Sequence, residues 1–177
     1  YVDSAYRGIL LATTAMIVRN ASLLLILAPI VLIGSFSAFA LMLIMSSAFV
    51  IWSYHRRDRQ AADIFPELKL DLPFSLPLAL KYGVIFLLLH IVGGVTQREF
   101  GNIGFYFVSI IGGLMSSASA VAAAASLASQ GSISPTVAGT GAVAASFTSI
   151  IFSLTVVMRT RNHMLISRLA WTMVCVA

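Results

Sequence analysis

IGFYFVSIIGGLMSSASAVAAAASLASQ, residues 103–130, is the stretch on which the fold turns. It carries no charge and is longer than a single membrane crossing needs, since a spanning helix takes roughly 20 apolar residues, about 30 Å at the helical rise. Gly112–Gly113 and Ser116–Ser117 divide it, and Gly131–Ser132 close it. Two readings are open. One is a single long, tilted helix whose glycines allow close packing. The other is a pair of half-helices that meet near Gly112–Ser117, entering and leaving on the same side of a membrane. Non-helical backbone at membrane depth is tolerated only when buried in protein or lining a watery cavity.

Outward from this stretch the chain reads as all-α, with five to six helices in a single transmembrane domain over residues 1–177. Helix 1 is expected from about Ser4 to Ala28. Pro29 then interrupts the pattern, because proline lacks the backbone donor and restricts the residue before it. Helix 2 follows from about Ile30 to Tyr54. Residues 55–73 hold four of the six acidic residues together with Arg56, Arg57, Arg59 and Lys69, and read as an extramembrane loop. Helix 3 runs from about Leu76 to Gln97, and Arg98–Glu99 mark its exit from lipid. Helix 5 covers about Ile133 to Met158, with Pro135 acceptable in its first turn. A sixth begins near Met164. The chain starts without methionine and stops inside an apolar run, so it reads as a fragment of something longer. No sustained strand-like alternation occurs.

Charge chooses between the two readings of 103–130. If every helix crosses once, Arg7, Arg56, Arg57, Arg59, Lys69 and Lys81 face Arg98, Arg159, Arg161 and Arg168 across the membrane. If 103–130 returns to the side it came from, Arg98 stands alone against all the others. Cytoplasmic loops carry the excess of lysine and arginine, which favours the broken or re-entrant arrangement.

Composition fixes the environment. Of 177 residues, 59% are hydrophobic and 10% charged, where soluble domains carry about a quarter charged residues. The net charge of +5 is then a topological signal, and nucleic acid is not an expected partner. The lone Cys175 leaves no disulfide and no cysteine metal cluster.

The expected hydrophobic spans contain one charged residue of high cost. Arg19 lies about nine residues, roughly 14 Å, from the end of its helix. Insertion scales charge about 2.5–3.5 kcal/mol for such an arginine, so it should face protein, a cavity or an anion. Asn20 beside it can hydrogen-bond through both amide groups. All six carboxylates lie outside the spans, which argues against a magnesium or calcium pore, against a proton relay built on Asp or Glu, and against a metal site. Helix 3 places Gly83, Phe86, His90, Gly93, Gly94 and Gln97 along one face, either as a packing surface or as one wall of a polar path. Ser109, Gly112, Gly113, Ser116, Ser117 and Ser119 form the densest small-polar run, and helix 5 offers Gly139, Ala142, Ser146, Ser149 and Ser153 as a matching face. If the helix breaks at Gly112–Gly113, the next half-helix would point free N–H groups at an anion, with Arg19 as its partner. Met42 and Met45 share a helix face, but methionines usually just fill apolar space. A serine hydrolase needs a base beside its nucleophile, and only His90 with Ser116 or Ser117 can be constructed, so no enzyme and no cofactor are expected.

Three stretches, TTAMIVRNASLLLILAP (13–29), LPFSLPLALKYGVIFLLL (72–89) and QREFGNIGFYFVSIIGGLMSSASA (97–120), together resemble one bacterial family. It is the membrane module of unknown function associated with the MgtC/SapB domain in inner-membrane proteins. Arg19 and Asn20 match a polar position in its first helix, while Pro73, Phe74, Ala79, Lys81, Gln97, Gly101 and Gly104 match its helix-3 neighbourhood. Many members carry acidic residues where this chain has Ser116, Ser117 and Ser119. The resemblance implies a multi-pass protein of the bacterial inner membrane, loosely connected with transport.

Two uses fit these residues. The first is a transporter or channel-like module whose small solute is anionic or neutral rather than a divalent cation. The second is a non-transporting protein that binds and regulates another membrane protein. A homodimer in the lipid bilayer suits either.

Overall fold

The computed structural model describes residues 2–55 and 76–158, with side chains for 8–52, 76–153 and 155. Four helices follow in order: α1 (Val2–Leu27), α2 (Pro29–His55), α3 (Leu76–Ser129) and α4 (Pro135–Met158). No strand occurs among the described residues. The run 56–75 and the sixth helix expected from Met164 lie outside them. His55, assigned to the loop from sequence, is the last residue of α2.

One residue joins α1 to α2. Ala28 N donates to Leu24 O at 2.9 Å, closing α1, and its carbonyl accepts from Val31 N at 3.0 Å and Leu32 N at 3.4 Å, opening α2. Pro29 stands in the first turn, where its missing N–H would have had no intrahelical partner. The two helices therefore run back on each other, and the hydroxyls of Thr14 and Ser46 meet across them at 2.6 Å.

The 54 residues of α3 are not one rod. Gly101 (φ 61°, ψ −152°) and Ser116 (φ −164°, ψ 106°) leave the helical region. They divide it into α3a (76–100), α3b (102–115) and α3c (117–129). Gly101 occupies the left-handed region that glycine enters without steric cost. A methyl group on Gly104 would lie 2.6 Å from the Thr96 carbonyl oxygen, so α3b turns straight back over the last turn of α3a. α3b and α3c also fold against each other. A methyl on Gly112 would lie 3.1 Å from the Ala120 Cβ, although eight residues of continuous helix would separate the two by about 12 Å. Phe105 and Leu127 both lie within 4 Å of the same point beside Gly93 of α3a, whereas an unbroken helix would hold them about 33 Å apart.

Residues 102–129 are thus an antiparallel hairpin with its tip at Ser116, packed against α3a. The sequence placed the interruption within Gly112–Ser117. Gly112 and Gly113 remain helical, and Ser116 alone supplies the break. Glycine at 112 and 113 serves a different purpose, close approach. Leu89 of α3a closes on Gly112, and the Ala145 backbone of α4 closes on Gly113 nearer than a side chain would permit.

α4 runs parallel to α3b, with Gly141 against Phe105 and Ser109, then Ala145 against Gly113. Gly139 faces Val31 and Ser35, which puts the starts of α2, α3b and α4 at one end of the bundle, here called the Pro29 end. The interior combines small and large apolar side chains, with Ala125, Ala138, Ala142 and Ala145 wholly buried beside Ile17, Leu24, Val31 and Val121. Large apolar residues such as Ile26, Ile33, Leu80, Leu87, Phe107 and Ile111 point outward. Contiguous apolar surface of this extent is foreign to soluble monomers and natural in lipid.

Candidate functional site

The hairpin tip is set by a serine cap. Ser116 has the extended backbone of a residue preceding a helix, and its Oγ accepts from Ser119 N at 3.3 Å. That bond satisfies one of the donors that the start of any helix leaves free. The N–H groups of Ser117 and Ala118, in the first turn of α3c, have no intrahelical acceptor by geometry. Ser119 Oγ donates to Tyr82 O of α3a at 3.3 Å, pinning the tip to the neighbouring helix. Ser117 is 3% exposed. Lower in α3b, Ser109 Oγ donates to Phe105 O at 3.0 Å beside Gly141.

A second polar point lies between α1 and α4. Asn20 is wholly buried, and its Nδ2 donates to Ser146 Oγ at 2.9 Å. Ser146 Oγ in turn donates to Ala142 O at 2.9 Å. Its only proton is thus engaged, so it can only accept from Asn20, which fixes the amide orientation. Asn20 Oδ1 is left without a partner.

α3a carries the other two candidates. His90 stacks on Phe86, ring centroids 5.8 Å apart, and its Nδ1 is buried with no hydrogen bond. Gln97 Nε2 donates to Asn102 Oδ1 at 2.9 Å across the Gly101 turn, while its Oε1 is buried and unpaired. His90 and Gln97 share a face without bonding each other. Gly83, placed on that face from sequence, is exposed with open space beside it.

Arg19 does not join any of these groups. It is exposed on the outer surface of α1 and makes no hydrogen bond or ion pair among the described residues. The expected pairing of Arg19 with the start of a half-helix is therefore not formed within the described part of the chain. Successive residues of a helix differ in direction by about 100°. Burying Asn20 against α4 turns Arg19 outward.

Sequence reading missed Ala120 and Ala145, whose smallness lets the hairpin and α4 close, and the Thr14–Ser46 pair. The alanine run 120–125 was the available signal for the first. Nothing short of the tertiary fold pairs Thr14 with Ser46.

Among the described residues the buried polar side chains are all uncharged: seven hydroxyls and the Asn20 amide. No three His, Cys, Asp or Glu side chains come together there.

The described residues are all helical, with four helices long and apolar enough to cross a membrane, which is the make-up of a multi-pass membrane protein. Residues 1–160 match a family described as a domain of unknown function (DUF4010), and the chain belongs to that family. Neither a curated protein nor a solved structure matches it.

Proposed function

We propose that this chain is a transporter or channel-like module of the bacterial inner membrane for a small anionic or neutral solute. In this reading 102–129 is a re-entrant hairpin entering from the Pro29 end, and its tip lines the path. The observation that carries the reading is the capped start of α3c at Ser116. The half-helices have about 14 and 13 residues, roughly 20 Å each, too short to cross a core of about 30 Å. A tip ending at membrane depth would turn the N–H groups of Ser117 and Ala118 toward a solute, and such groups favour anions and neutral acceptors. Kinship with MgtC/SapB-type proteins belongs to the same proposal and is supported by residues 13–29, 72–89 and 97–120.

The test is flux in liposomes across a panel of halide, phosphate, acetate, glycerol, urea and Mg²⁺. Wild type should pass at least one anionic or neutral solute, and Ser116→Ala should slow it about fivefold if loss of the cap costs about 1 kcal/mol. Folded protein that passes none of them, or that passes only Mg²⁺, contradicts the reading. The second reading, a protein that binds and regulates another membrane protein, is favoured by the outward Arg19.

A further inference from the structure

Two buried polar side chains have hydrogen-bonding capacity that the fold leaves unused. Asn20 is wholly buried, and its Oδ1 has no partner. Turning the amide over does not cure this. Ser146 Oγ gives its proton to Ala142 O and so accepts from Nδ2, which leaves an acceptor as the free atom. Ser117 is buried as well, and its Oγ makes no hydrogen bond among the described residues. A hydroxyl can donate as well as accept.

The two groups share one seam at one depth. Ala145 abuts Gly113 and Ala120 abuts Gly112, so along α3b Ser146 stands level with about residue 114 and Ser117 with about residue 115. The amide of Asn20, bonded to Ser146, lies within a helical turn of the same level. Ser117 precedes Val121 by four residues, and Asn20 follows Ile17 by three and precedes Leu24 by four. Residues at these spacings share a helix face. Val121, Ile17 and Leu24 are wholly buried in one apolar cluster, which joins the Ser117 face of α3c to the Asn20 face of α1. A free acceptor and a free hydroxyl therefore border one seam without bonding each other.

Chemistry narrows what could engage both. A solute with an N–H beside a carbonyl oxygen would donate to Asn20 Oδ1 and accept from Ser117 Oγ. A halide or a carboxylate has no proton to give. It would leave Oδ1 unpaired and set its charge against a carbonyl oxygen, and buried polar groups reject ligands that leave them unpaired.

We infer that the seam between α1 and α3c binds a small neutral amide, urea or a primary carboxamide, with Asn20 as its acceptor and Ser117 as its donor. The inference rests on the transporter reading and narrows the solute from anionic or neutral to a neutral amide.

The test is flux through liposomes holding the full chain, measured above protein-free liposomes, for urea, acetamide, acetate and chloride. Urea and acetamide should pass. Acetate, close to acetamide in shape but without its N–H, should pass about tenfold more slowly. Asn20→Leu and Ser117→Ala should each bring the ratio of acetamide to acetate flux toward one, whereas a general loosening of the bundle would change both fluxes together. Acetate or chloride passing as fast as urea overturns the inference and leaves the transporter reading standing. So does passage of any other solute without urea or acetamide, or a folded variant that keeps the wild-type ratio. Folded wild type that passes no solute at all overturns both.

Discussion

At the residue scale, Arg19 and Asn20 are neighbours with opposite surroundings. Asn20 is enclosed, with one amide group bonded to Ser146 and the other unpaired. An unpaired buried acceptor costs about 1–3 kcal/mol, comparable with what its partnered half contributes. Asn20→Leu, which keeps the branching of the side-chain heavy atoms, should therefore change unfolding free energy in detergent by less than about 1 kcal/mol. Ser146→Ala leaves Nδ2 without an acceptor and should destabilise by about 1 kcal/mol. A larger loss for Asn20→Leu than for Ser146→Ala would mean that Oδ1 has a partner. Arg19→Leu should make insertion of an isolated α1 segment more favourable by about 3 kcal/mol in a translocation assay. The sequence identified both residues as costly or polar but could not assign their directions, because that depends on which side of α1 meets α4.

At the element scale, the hairpin 102–129 is held by two different uses of glycine and one of serine. Gly101 has a φ of 61°, so Gly101→Ala should cost about 1–2 kcal/mol for placing a side chain in the left-handed region. At Gly113 the obstacle is the Ala145 backbone, which cannot rotate away. Gly113→Ala should cost about 1–3 kcal/mol and push α4 off α3b, seen as a lower unfolding midpoint and as loss of a 113–145 neighbour cross-link. The boundaries of α1, α2 and α4 were legible to within two residues, because long apolar runs end at Pro29 and Gly131–Ser132. The broken stretch was legible as a region. Its fold-back was not, since Gly–Gly and Ser–Ser pairs suit a kink, a tilt or a hairpin equally until Ala120 is seen against Gly112.

At the scale of the whole molecule, the bundle sorts its chemistry by face. Large apolar side chains cover the outside, alanines and branched apolar side chains such as Ile17, Leu24 and Val121 fill the inside, and the polar side chains that are buried as a whole among the described residues are hydroxyls and the Asn20 amide. Basic residues gather at the His55 end if the hairpin returns to the side it entered, which is the distribution that membrane insertion favours. Residues 102–129 must then begin and end on one face, with α4 carrying the chain to the other. Single cysteines in a Cys175→Ser background, at Asn102, Gln130 and Arg159, probed with a membrane-impermeant maleimide on oriented vesicles, test this most directly. Asn102 and Gln130 should react from the same face and Arg159 from the opposite one. Asn102 and Gln130 reacting from opposite faces would contradict the re-entrant hairpin and the function built on it.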